Sequence, residues 1–191
     1  AWGLRLGGYL LARILRTKVD HRFDGMRENP VKFARFWALQ AVTVWIVMLP
    51  AIRLLSMPSP VHANAVTAVG IVLWAAGFAI EAVSDAQKFR FRNDPANAGS
   101  FIRTGLWSLS RHPNYFGEAL LWWGIFVAAT PAFWGWDFLT AIGPVFLALM
   151  LLFVSGVPLL EKSAEARFGA DPSYRDYRRR TSLFVPLPPR R

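Results

Sequence analysis

The sequence predicts an all-α fold, a polytopic bundle of transmembrane helices, on three observations. Four uncharged stretches are long enough to cross a hydrocarbon core: 36–52 (17 residues), 54–80 (27), 119–136 (18) and 138–160 (23). A spanning helix needs about 20 mostly apolar residues. The basic residues cluster in alternate connections between these stretches. The composition is 54% hydrophobic and 18% charged, where soluble domains run near 45–50% and 25%. At 191 residues the chain makes one domain.

The elements follow in order. The apolar stretch 1–11 is broken only by Arg5 and reads as the end of a helix, giving a first span of about 1–15. The chain starts with Ala and shows no signal-peptide pattern, so earlier helices are expected to be missing. The 27-residue window is too long for one span and contains Pro58, Ser59, Pro60 and Asn64. It divides into spans of about 36–55 and 65–84. Two more spans fall at about 115–131 and 138–160. The connections are then 16–35, 56–64, 85–114 and 132–137, with a tail at 161–191.

Seven Lys and Arg lie in 13–35, five in 85–114 and eight in the tail, which accounts for 20 of the 22. Connections 56–64 and 132–137 have none. This is the positive-inside pattern, so 16–35, 85–114 and the tail are expected on the cytoplasmic side of an integral membrane protein. A net charge of +10 could also mean nucleic acid, but basic groups tied to membrane ends exclude it. With no cysteine, disulfide, thiol and Cys–zinc chemistry are excluded, and no metal ligand set is assigned.

Acids near span ends are costly and therefore informative. Glu81 and Asp85 share a helix face, and Lys88 and Arg92 continue the stripe. Asn114 and Glu118 share a face of the fourth span. Two readings stand. The acids pair structurally with arginines at the headgroups, or they line a polar pocket ringed by Arg92, Arg103 and Arg111, suited to an anionic ligand.

The most informative stretch is 105–124, GLWSLSRHPNYFGEALLWWG. Pro113 favours a helix start and pushes His112 to an extended conformation. Asn114, Gly117 and Glu118 then fall on the first turns, where free N–H groups favour phosphate or carboxylate. His112 is a hydrogen-bonded structural residue or an acid–base group. Tyr115 is an interface anchor or a proton donor.

SRHPNYFGE followed by an aromatic-rich helix resembles the C-terminal membrane domain of steroid 5-alpha-reductases and their uncharacterised bacterial relatives. It is also similar to sterol C14-reductases and, more distantly, to isoprenylcysteine carboxyl methyltransferases. WGLRLGGYLLARILR and DHRFDGMRENP upstream, and Tyr174, Tyr177 and RTSLFVP downstream, extend the resemblance over nearly the whole chain. It implies a bacterial inner-membrane oxidoreductase that takes hydride from NADPH to reduce a lipid carbon–carbon double bond. Its partners would be membrane lipid and a lipid-soluble small-molecule substrate.

The resemblance further implies cofactor-binding roles for Arg5, Tyr9, Asp85, Arg92, Arg103, Arg111, His112, Asn114, Glu118 and Glu161, and catalytic roles for Glu118 and Tyr115. Asp85 would hold a ribose or amide, the arginines the phosphates, and Asn114 and Glu118 the nicotinamide end. The chain departs from the reductases at Trp2, where they carry a Tyr, and at 156–161, where only Glu161 is ionisable. Two alternatives follow. One is an S-adenosylmethionine-dependent methyltransferase, favoured by Glu161 with Arg167-Phe168-Gly169. The other is a non-catalytic membrane subunit that keeps the fold. The tail reads as a short helix at the headgroups, held by anionic lipid or serving as a cofactor lid.

Overall fold

The computed structural model describes residues 2–17, 28–57 and 63–190, apart from the side chains of Arg13, Arg16 and Thr17. The chain divides into two units, 1–46 and 47–191. Residues 18–27 of the first basic connection, and Pro58, Pro60 and His62 of connection 56–64, lie outside the described residues. Among the described residues the elements are helices, with one isolated β-bridge and no strand.

The first unit contains α1 (Trp2–Thr17) and most of α2 (Pro30–Val47). Asn29 starts α2 by accepting hydrogen bonds from the Val31 and Lys32 amides at 3.1 and 3.0 Å, and Pro30 suits the first helical position. α3 (Leu49–Leu55) follows after Met48, with Pro50 near its start.

In the second unit, α4 (Ala65–Asn93) packs along α5 (Pro113–Ala129). Asn64 caps α4 through the Val66 and Thr67 amides. At 29 residues the helix is about 43 Å long, so it continues well beyond the span end expected near 84. The α4–α5 seam is made by glycines at seven-residue spacing. A Cβ on Gly77 would fall 2.5 Å from the Leu121 amide nitrogen, and one on Gly117 would fall 2.6 Å from that of Glu81. Gly70 and Gly124 meet Ala128 and Trp74 in the same way. Backbones approach closely because no side chain intervenes.

A 3-10 stretch (Gly135–Ala141), α6 (Ile142–Leu149), a π-helical turn (Met150–Val154) and α7 (Val157–Phe168) form the next run. The chain breaks at Ser155 and Gly156 before Pro158. α8 (Pro172–Arg180) is capped by Asp171, which accepts from the Ser173 amide at 2.8 Å. Arg53 of α3 holds Asp137 with two hydrogen bonds, at 2.7 and 3.1 Å.

Two stretches, Ala65–Asn93 and Gly135–Phe168, are long and apolar enough to cross a membrane. Pro30–Val47 with Leu49–Leu55 makes a third if the bent pair is one span. These helices point to an integral membrane protein.

Candidate functional site

The turn before α5 is built as its residues dictate. His112 is the N-cap, at φ −138° and ψ 56°, and Pro113 occupies the first helical position. Ser110 is fully buried. Its hydroxyl accepts from the His112 amide at 3.1 Å and donates to the Phe184 carbonyl at 2.7 Å. Upstream, the loop sits on the last turns of α4. The Leu106 amide donates to Gln87 Oε1 at 3.0 Å, and the Trp107 indole N–H to the Ser84 carbonyl at 3.1 Å. Seating this loop is what continues α4 beyond its apolar part.

Beside the turn lies a cavity of about 710 Å³, within the roughly 300–1,000 Å³ of ligand pockets. Its wall combines the polar end of α4, the loop 97–112, α7 and α8. Four cations line it, Lys88, Arg92, Arg111 and Arg167, against one carboxylate, Glu161. α7 supplies Glu161 to this loop. Arg111 Nη1 hydrogen-bonds Glu161 Oε2, and His112 Nε2 lies 2.8 Å from Glu161 Oε1. Arg178 reaches the same carboxylate at 3.7 Å and Glu165 at 2.6 Å. A carboxylate only accepts, so Nε2 carries the hydrogen of that pair.

Burial pushes the His112 imidazole below its ordinary value of 6.5, while the bond to Glu161 pulls it upward; Lys88 and Arg111 add to the lowering. Lys88 Nζ sits 4.5 Å above the Trp107 ring. Phe101 packs against Tyr174 and Tyr177 at ring distances of 5.1 and 5.4 Å. The Tyr177 hydroxyl donates to the Trp107 carbonyl at 2.7 Å, and burial raises its pKa, so it stays protonated. Together these groups interleave charge with flat aromatic surface in the cavity wall.

The structure brings Arg92, Arg111, His112 and Glu161 together in the cavity wall. Asp85 and Asn114 form a second pair at 3.3 Å in the α4–α5 seam, not in that wall. Tyr115 stacks on His112, with rings 5.9 Å apart and 11° from parallel. Glu118 is half-buried one turn along α5 from Asn114. Arg103 is exposed and stacks over Phe101 at 5.7 Å, outside the wall. The expected ring of Arg92, Arg103 and Arg111 thus has two members in place, and the cavity's acid is Glu161 rather than Glu81, Asp85 or Glu118. Glu81 and Asp85 are consumed by the seam, where both are buried. Arg5 and Tyr9 lie one turn apart on α1 in the first unit.

Sequence reasoning missed Lys88 and Arg167 as wall residues. The signal for Lys88 was present in the Asp85–Lys88–Arg92 spacing. Arg167 entered only through the Arg167-Phe168-Gly169 pattern, which does not by itself place it on the wall. Among the described residues no group of three His, Cys, Asp or Glu could hold a metal.

A bound polar ligand fits this arrangement. Arg111 Nε, His112 Nδ1 and Asn114 Oδ1 are buried with no hydrogen-bond partner, all within one turn. Buried polar groups are otherwise almost always satisfied.

The chain is 35% identical over 147 residues to the Delta(14)-sterol reductase of Neurospora crassa, covering 62% of this chain and 30% of the relative. It is 32% identical over 84 residues to the probable O-methyltransferase ustE of Ustilaginoidea virens, covering 40% of this chain and 30% of the relative. It therefore spans about 30% of the length of these curated relatives. No solved structure matches it. One family's sequence profile matches residues 1–181, nearly the whole chain, and the protein accordingly belongs to that family, DUF1295, described as proteins of unknown function.

Proposed function

We propose that this protein is a lipid-modifying membrane enzyme, an NADPH-dependent reductase of a carbon–carbon double bond in a lipid-soluble, steroid-like or isoprenoid substrate. The observation that carries the reading is the charge of the cavity, four cations against one already paired carboxylate. Phosphate groups match clustered Arg and Lys. The likeness to a sterol reductase supports the same class. Connections 16–35 and 85–114 and the tail face the cytoplasm in this reading, with five spans, so that a soluble nucleotide meets a membrane-borne lipid.

When bound, NADPH supplies the hydride. Lys88, Arg92 and Arg167 hold its phosphates. Glu161 fixes Arg111 and His112 so that neither must reorganise when the ligand arrives. The seam pair Asp85–Asn114 and Glu118 orient the nicotinamide end. Tyr115 gives the proton that balances the hydride on the other alkene carbon. The apolar helices exclude water from the transfer. Arg5 and Tyr9 enter this proposal on the family resemblance alone, and Arg103, outside the wall, is given no phosphate role.

A second reading is favoured by the likeness to an O-methyltransferase and by Glu161, Arg167 and Phe168 in the cavity wall. S-adenosylmethionine carries a net positive charge, which this cavity opposes. Calorimetric titration of the detergent-solubilised protein with NADPH, NADH and S-adenosylmethionine decides. The reductase reading expects saturable NADPH binding that weakens with salt. Binding of S-adenosylmethionine alone selects the methyltransferase, and binding of neither selects an accessory subunit.

A further inference from the structure

The C-terminal segment is a strap with two faces. Its inner face grips the site turn. Arg111 N–H donates to the Ser182 carbonyl at 2.8 Å, Ser110 Oγ to the Phe184 carbonyl at 2.7 Å, and Leu187 N–H to the Leu109 carbonyl at 3.0 Å. Ser110 and Ser182 form a parallel bridge, and Phe184 packs edge-on against Phe116 at 5.7 Å. The segment then closes back on α8. Arg190 N–H donates to the Arg180 carbonyl and Arg180 Nε to the Arg190 carbonyl, both at 2.9 Å.

Its outer face alternates in exposure along 182–187. Ser182, Phe184 and Pro186 are half-buried, whereas Leu183, Val185 and Leu187 are 38, 45 and 52% exposed. Just before this row in the chain, α8 carries four arginines and one aspartate; Arg178 is held by Glu161 and Glu165, while Arg179, paired with Asp176, is 80% exposed. Apolar residues edged by Arg are the composition of elements that lie in a membrane interface. The strap also lies next to the start of an apolar helix. It pairs with residues 109–111, and the apolar helix α5 begins at Pro113.

We propose that residues 182–187 dock on the anionic headgroup layer of the protein's own membrane, with Leu183, Val185 and Leu187 facing lipid and the exposed Arg179 of α8 facing its phosphates. Lipid on one side and the Ser110–His112 turn on the other make the strap a link between membrane surface and site. The docking stands on geometry and charge. The link to ligand affinity rests on the NADPH reading.

The chain has no cysteine, so Val185→Cys in the full chain takes a single bimane label. The labelled protein goes into nanodiscs of phosphatidylcholine with or without phosphatidylglycerol, containing headgroup spin-labelled lipid. Docking expects quenching by the lipid label, about twofold stronger with phosphatidylglycerol. Quenching by aqueous iodide alone in both discs overturns it. In a second arm, Leu183→Ser/Val185→Ser/Leu187→Ser leaves the inward hydrogen bonds in place. It should raise the Kd for NADPH about fivefold in the anionic discs. An unchanged Kd in this variant, with the singly labelled protein quenched by lipid, overturns the link. Quenching without NADPH binding to the parent protein overturns the cofactor reading and leaves the docking standing.

Discussion

His112 Nε2 lies 2.8 Å from Glu161 Oε1, joining the turn before α5 to α7 across 49 residues of chain. The contact sets the tautomer of the imidazole and pulls its titration upward against burial. Its folded pKa lies below the ordinary 6.5 because burial outweighs the carboxylate. The unfolded chain therefore binds a proton that the native state resists. Stability from this group is present above about pH 6.5 and is lost as the pH falls below it. Glu161→Gln removes the upward pull, so His112 should titrate at a still lower pH. An NMR titration of the ring reads this directly, and a rise would contradict the account.

The glycine seam makes a stability prediction. Gly117→Ala places a methyl against the α4 backbone at Glu81, where the neighbour is main chain and cannot swing away. Thermal unfolding in detergent should show a loss of about 1–3 kcal/mol, the usual cost of overpacking. Gly7→Ala on α1 meets nothing within 4 Å and should be neutral or gain up to about 1 kcal/mol from helix propensity. Equal effects at the two sites would deny the close approach of α4 and α5.

The cavity wall separates arginines that look equivalent in sequence. Arg92 lines it and Arg103 does not. Arg92→Ala should weaken NADPH binding about tenfold, the worth of one charged hydrogen bond. Arg103→Ala should change it less than about twofold, because an exposed cation acts weakly through water. Calorimetry on the two variants checks the order, and the reverse order would move the phosphate site outside the cavity.

Arg53 and Asp137 form a two-bond pair between α3 and the stretch after α5. Arg53→Ala and Asp137→Asn should each lower the melting temperature, and the double variant should lower it by less than the sum. Additive losses would show that the pair contributes nothing as a pair.

The helices were legible because membrane physics leaves few alternatives. Long uncharged stretches must be helical in lipid, and Asn64 and Pro113 mark starts by simple capping chemistry. The continuation of α4 past its apolar span was legible only as the Glu81–Asp85–Lys88–Arg92 stripe. Its last turns lose their apolar character, and only the Gln87 and Ser84 contacts to the 106–107 loop show why they stay helical. The π turn and the Gly156 break were hidden inside one apolar window. At the site, SRHPN was recognisable as a unit, and the helix start follows from Pro113. The closing contacts were not recognisable. Glu161 meets Arg111 from 50 residues away, and Phe184 meets Ser110 from 74. Such pairs depend on how helices turn, which local pattern does not encode.

The central claim is that the Arg92–Arg111–Glu161 cavity takes a phosphate-bearing nucleotide. Its most direct test is calorimetric titration of the purified full chain with NADPH and with S-adenosylmethionine, at low and high salt. The account predicts saturable NADPH binding that weakens as salt rises and is reduced by Arg92→Ala. Saturable S-adenosylmethionine binding with no heat from NADPH would contradict it.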